Sequence, residues 1–230
     1  MNLFGPHTFL EDDVEAGILE TWKWLMARFG DAKQMAWDPL ILPTADFFPA
    51  TTLKGDELAA DILLRVRRLL KAEVECEILQ LDARDLTPDE EGPPLITYSD
   101  ATDPCLLVSE LAHGVAALML DPLRDELPEG PDSFWPATSL LVVHKGFGIF
   151  ATDAALELFG GGQYRGARAY RSGYLTEPAF AFAFAAYLAL TNRVGAADRW
   201  IKPACLGLLH DAQKYLAKNP GLLRPLKASP

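Results

Sequence analysis

Between Pro104 and Leu120 the sequence reads PCLLVSELAHGVAALML, long enough for a helix and apolar on every side of it. At 3.6 residues per turn, Leu106, Leu107, Val108, Leu111, Val115, Leu118 and Met119 leave no wet face. Such a helix holds only when other elements wrap it, so residues 104–120 must lie at the centre of whatever fold forms. Its start is written in the sequence: Asp103 is a good N-cap acceptor, and Pro104 suits the first helical position. Glu110 and His113 are the only acidic or basic side chains inside the run. Three residues apart, they are neighbours on the helix surface. Burial obliges them to find partners or to line a cleft.

The flanking sequence predicts an α+β fold of one domain spanning residues 1–230. Leu10, Val14, Ile18, Trp22, Leu25, Met26 and Phe29 recur at helical spacing, with acids in the first turn and Gly30 at the stop. Leu40-Ile41-Leu42 lies between two prolines and reads as extended, a strand edge. Asp56 to Lys71 is a helix with Leu58, Ile62, Val66 and Leu69 inward. Val74 to Leu81 and Leu95 to Tyr98 read as strands. Residues 121–134, rich in prolines and acids, read as a surface loop. Pro136 opens a long helix to about Phe159, ended by Gly160-Gly161-Gly162. No strand precedes those glycines and no G-K-[ST] follows, so they read as a helix stop and not a phosphate loop. Helices from Thr176 to Asn192 and from Pro203 to about Lys218 complete a small sheet with a helical C-terminal half.

Charge narrows the partners. A formal net charge of −11 over 230 residues argues against nucleic acid, which needs a basic footprint. Arg65, Arg67, Arg68 and Lys71 share one short helix and read as its solvated face. The apolar run Ala179–Leu190 is shorter than the roughly 20 residues that cross a bilayer, so a buried core helix is expected there and no membrane partner. Met1 to His7 lacks the pattern of a secretory signal. Cys76, Cys105 and Cys205 are an odd number without C-x-x-C spacing and read as reduced thiols of a cytoplasmic protein.

Inside the apolar helix, Ser109-Glu110-Leu111-Ala112-His113 follows the zinc-protease pattern H-E-x-x-H with serine in the first place. In that pattern two imidazoles one turn apart bind the metal and the glutamate beside it is the general base. A serine hydroxyl is a poor zinc ligand, so one of three protein anchors is missing. Four stretches extend the likeness: Leu42-Pro43-Thr44 with Phe47-Phe48-Pro49, the helix at 109–113, Gly146-Phe147-Gly148-Ile149-Phe150, and Gly173-Tyr174-Leu175-Thr176. In their order and spacing the chain resembles a family of uncharacterised bacterial proteins with a zincin-like domain built around an H-E-L-[AG]-H helix. The resemblance implies a zincin-like fold. It also implies a further metal ligand from a segment written roughly E-P-L-T-D. The matching residues here are Trp135-Pro136-Ala137-Thr138-Ser139, with tryptophan and serine where the acids belong.

The resemblance therefore implies a vestigial site of Ser109, Glu110, His113 and Ser139, with no metal ligand set and no cofactor. The function it implies is that of a catalytically inactive zincin-like domain, a pseudo-metallopeptidase with a binding or regulatory role toward an unknown protein or peptide. Two alternatives stand beside it: a metal-dependent hydrolase holding zinc through an altered ligand set, and a peptide-binding interaction partner. His144 lies about 140° around its predicted helix from Ser139, His210 is far along the chain beside Asp211, and His7 is near the terminus. A Ser109–Glu110–His113 hydrolase is the weakest reading, because adjacent helix residues point about 100° apart. Glu110 and His113 are otherwise expected to bond with Ser109 or Tyr98. The helix at 104–120 should pack on the one at 136–159, with Glu110, His113 and Ser139 around a shared cleft.

Overall fold

A computed structural model describes residues 9–80, 94–99, 102–159 and 175–227. The apolar spacing after residue 9 becomes helix α1, Asp12–Phe29, which buries Ile18, Trp22, Leu25 and Met26. A turn at Gly30 leads into a six-residue helix, α2 (Ala32–Trp37), which the periodicity did not announce. Asp31 caps it by accepting from the Gln34 amide at 2.8 Å. Helix α3 (Gly55–Leu70) puts Ile62, Leu63, Val66 and Leu70 inward and ends at Lys71 in the left-handed conformation.

Strands β1 (Glu77–Gln80) and β2 (Leu95–Tyr98) pair in parallel, with Glu77 opposite Leu95 and Gln80 opposite Tyr98. Ile96 and Tyr98 of β2 are buried while Leu95 is exposed, so one face of the pair meets helices. Helix α4 (Pro104–Leu120) covers β2, and α3 lies beside both α4 and β1. Gly114 permits the close approach, since a Cβ there would stand 2.4 Å from Cγ2 of Ile96. The expected cap is present: the Asp103 carboxylate accepts from the Cys105 and Leu106 amides at 2.8 and 3.3 Å.

Residues 121–134 are not an open loop. Two short 3₁₀ turns, Asp121–Glu126 and Pro131–Ser133, fold back so that Leu127 and Phe134 are buried. The single helix expected from Pro136 to Phe159 is two helices, α5 (Phe134–Val142) and α6 (Gly148–Phe159), separated by a π-type turn over Val143–Phe147. Gly146 breaks the run at φ +91°, where a Cβ would meet the Pro39 carbonyl oxygen at 2.6 Å. The Leu40–Leu42 segment is not a strand edge. It is an irregular stretch, and the Ile41 amide donates to the Gly146 carbonyl at 3.0 Å. Helix α7 (Glu177–Leu190) is buried along nearly its whole length and is flanked by α6 and α8 (Pro203–Lys218), with a last turn, α9, at Arg224–Lys227. Its alternating Ala and Phe fill the space between them. One contiguous core runs from Ile18 to Leu226, with α4 and α7 at its centre. The fold is α+β, mostly helical with a small sheet. The triple glycine 160–162 lies outside the described residues.

Candidate functional site

Helix α4 carries the expected polar residues, and its packing sends them in different directions. Glu110 faces the end of β2. Its carboxylate accepts from the Ser99 amide at 3.0 Å and from the Ser99 hydroxyl at 2.6 Å. Of the two partners expected from sequence, Ser109 is found by His113, whereas Tyr98 turns to Asp56 on α3, donating its hydroxyl to that carboxylate. Tyr98 and Ser99, the consecutive residues that close β2, are thus held by carboxylates from two different helices. Burial, reinforced by that carboxylate, pushes the Tyr98 hydroxyl up to about 12, so it stays protonated and keeps donating.

His113 faces α7. Its ring meets Phe180 edge-on, with centroids 6.2 Å apart. Nδ1 lies 2.8 Å from the Ser109 carbonyl oxygen, one turn back on the same helix. A carbonyl can only accept, so Nδ1 carries the proton and Nε2 is the basic nitrogen. Burial holds this imidazole down at about 4, although the hydrogen bond to the Ser109 carbonyl works the other way. The ring is therefore neutral at physiological pH. The Ser109 hydroxyl is 3.5 Å from Nδ1, already committed to the carbonyl, and it is buried.

Ser139 lies on α5, which packs against α4 as expected. Its side chain is completely buried, and its Oγ has no hydrogen-bond partner among the described residues. Complete burial places Ser139 in the core. His144 is directed elsewhere: its Nε2 donates to the Gly30 carbonyl at 2.8 Å, and Lys145 beside it donates to the Phe29 carbonyl at 3.0 Å. Both close the C-terminus of α1. His210 meets Asp198 at 3.2 Å, not its sequence neighbour Asp211.

Zinc requires three protein donors converging on one point, with nitrogen or oxygen at about 2.0–2.2 Å. His113 has the tautomer such a ligand needs, with Nδ1–H on a backbone oxygen. The others do not fit. Glu110 holds Ser99, the Ser109 hydroxyl lies buried against the His113 ring, and Ser139 is completely buried. Among the described residues, no three His, Cys, Asp or Glu side chains come together in a way that could hold an ion. Ser99, which no motif marked, is the residue the sequence reading missed. Its only signal was its place directly after a β-branched strand.

Two of the stretches that carry the family likeness meet in space. The Phe48 and Phe150 rings pack edge to face at 5.5 Å, and Ile41, just ahead of the first stretch, donates to the Gly146 carbonyl. Gly148 lets the Phe184 ring approach to 2.1 Å from where its Cβ would stand. The Gly-Phe-Gly-Ile-Phe stretch is thus explained by packing alone. Comparison with protein-family models, with curated proteins and with solved structures gives no match for this chain.

Proposed function

We propose that this chain is a zincin-like domain whose metal site has lapsed, a pseudo-metallopeptidase that works by binding a protein or peptide and not by hydrolysis. The observation that carries the reading is the position of Glu110. In the zinc-protease pattern that carboxylate must be available to take a proton from water beside the metal. Here both of its oxygens accept from Ser99 and fasten β2 to α4. A residue that would be the general base has become a structural clamp. Serine in place of the first imidazole and the buried Ser139 point the same way. The three cysteines are thiols, which fits the cytoplasm as the proposed location.

The alternative, a hydrolase with an altered ligand set, is favoured only by the His113 tautomer. Elemental analysis of protein purified without added metal, together with melting curves with and without zinc, separates the two. The lapsed site should carry no stoichiometric zinc or iron and should show no zinc-dependent rise in melting temperature. Stoichiometric metal, or a zinc-dependent rise that disappears in His113→Ala, would overturn the proposal.

A further inference from the structure

A second feature lies away from the Glu110–His113 face, on the outer side of α3 and β1. A groove of about 400 Å³ is lined by Leu63, Leu64, Arg67, Glu77 and Ile78 among others. Its walls are largely aliphatic, and Leu64 is 63% exposed although it is a large apolar side chain. Arg67 differs from its neighbours on α3. Arg65 is held bidentately by Asp61, and Lys71 is paired with Asp38. Among the described residues Arg67 has no carboxylate partner, and its Nε is buried in the wall without an acceptor. A buried guanidinium nitrogen with no acceptor is costly, and a carboxylate satisfies it best. Glu77 also lines the groove but forms no ion pair with Arg67.

The strand beside this groove has an open side. Among the described residues β1 pairs only with β2. Because the Glu77 amide bonds toward β2, at the Pro94 carbonyl, alternation directs the backbone groups of Ile78 and Gln80 the other way. Among the described residues no strand lies on that side. An unpaired strand edge is a template for another chain. Here it runs alongside an aliphatic groove containing a cation with no carboxylate partner among the described residues.

We propose that β1 and α3 form a docking site for an extended peptide that adds as a strand to β1, places an aliphatic side chain against Leu63, Leu64 and Ile78, and sets an acidic side chain on Arg67. Main-chain bonds to Ile78 and Gln80 supply affinity that is blind to sequence, and the groove and the guanidinium supply selectivity. The site uses no residue of the lapsed metal centre, so it stands or falls independently of zinc.

The test is selection from a random 12-residue peptide phage library on the wild-type chain, with counter-selection on Leu64→Asp/Arg67→Gln. Selected peptides are then resynthesised with amidated C-termini and a fluorescein label. The expected consensus is an Asp or Glu close to an aliphatic residue. Fluorescence anisotropy should show binding weakened about tenfold or more by Arg67→Gln, the scale of one lost charge-assisted bond. Arg67→Lys should recover part of that loss. Amide resonances of Ile78 and Gln80 should shift on binding. Leu64 is exposed and Arg67 has no carboxylate partner among the described residues, so melting curves of both variants should match wild type; Leu64→Asp alone provides a second reading if Arg67→Gln does not fold. A consensus without acids, affinity unchanged by either substitution, or shifts confined to other elements would overturn the proposal. So would a wild-type dimer abolished by Leu64→Asp, which would give the groove to a second copy of this chain.

Discussion

Replacing Gly146 by alanine should be among the most damaging single-methyl additions this chain can receive. Two costs add at that position. At φ +91° an L-residue is strained by about 1–2 kcal/mol. The new Cβ would also stand 2.6 Å from the Pro39 carbonyl oxygen, a backbone atom in the segment that Ile41 fastens to the Gly146 carbonyl. That oxygen cannot turn aside without breaking the bond, so an overpacking cost of about 1–3 kcal/mol applies. The alanine recovers roughly 0.4–1 kcal/mol by stiffening the unfolded chain. The net loss is about 1–5 kcal/mol, or about 2–20 °C in melting temperature at roughly 2–4 °C per kcal/mol for a chain of this size. Gly207 is the control. It is an exposed position inside α8 with nothing within 4 Å of its would-be Cβ, so alanine there should stabilise by about 0.5–1 kcal/mol. Urea denaturation of the two variants gives the comparison, and hydrogen exchange at the Ile41 amide reports the local damage. If Gly146→Ala costs less than about 1 kcal/mol and Ile41 stays protected, the junction of the π-type turn with residues 39–41 is not what breaks the helix.

Acid should destabilise the fold through its buried imidazoles. His113 and His144 are both held down at about 4 by burial, against 6.5 when exposed, so the neutral ring is the one that fits. Their contribution is complete above pH 6.5 and is lost as pH falls from there toward 4, by about 3 kcal/mol each at most. Urea midpoints followed from pH 7 to pH 4 should therefore decline, and His144→Gln, which keeps a donor for the Gly30 carbonyl, should flatten part of the decline; an equally steep curve in that variant would count against it. Ser99→Ala should cost about 1–2 kcal/mol by removing the 2.6 Å hydroxyl bond to Glu110, and denaturant titration should show Glu110→Ala costing more because both bonds to the half-buried Ser99, amide and hydroxyl, are then lost. Equal stability of the wild type and Glu110→Ala would remove the clamp from the account.

The parts of the fold that could be read from the sequence are those written within a few residues. Asp103 and Pro104 announced the start of α4, and Leu95-Ile96-Thr97-Tyr98 announced β2, because capping and β-branched packing act locally. Helix α2 also carried a local sign, Asp31 three residues before Gln34. Six residues without a long apolar period were too few to register beside it, and the helix end is secured by Arg193, whose guanidinium donates to the Ala36 carbonyl from far along the chain. The break at Gly146 was invisible for the same kind of reason. Its cause is the Pro39 carbonyl, a residue that approaches only once the chain has folded. Within an apolar run, glycine alone does not distinguish a tolerated helix position from a forced turn.

The site shows the same division. That α4 would be buried, and that Glu110 and His113 would need partners, followed from apolar residues on every side of them. Which partners they find depends on which elements pass each face, and tertiary packing decides that. β2 ends against one side and presents the Ser99 amide and hydroxyl; from the other, α7 presents the Phe180 ring. Two neighbours on one helix are in this way drawn to different duties, one tying the sheet to the helix and the other meeting an aromatic ring of α7. For a metal site both must turn to a common point with a third ligand, and the bonds that now stabilise each would have to be given up. Restoring histidine at position 109 would return one donor but would leave Glu110 bound to Ser99. Metal chemistry at this helix would therefore need the end of β2 to let go as well as a new ligand, so the packing around α4 counts against the zinc-protease pattern as much as the serine at position 109 does.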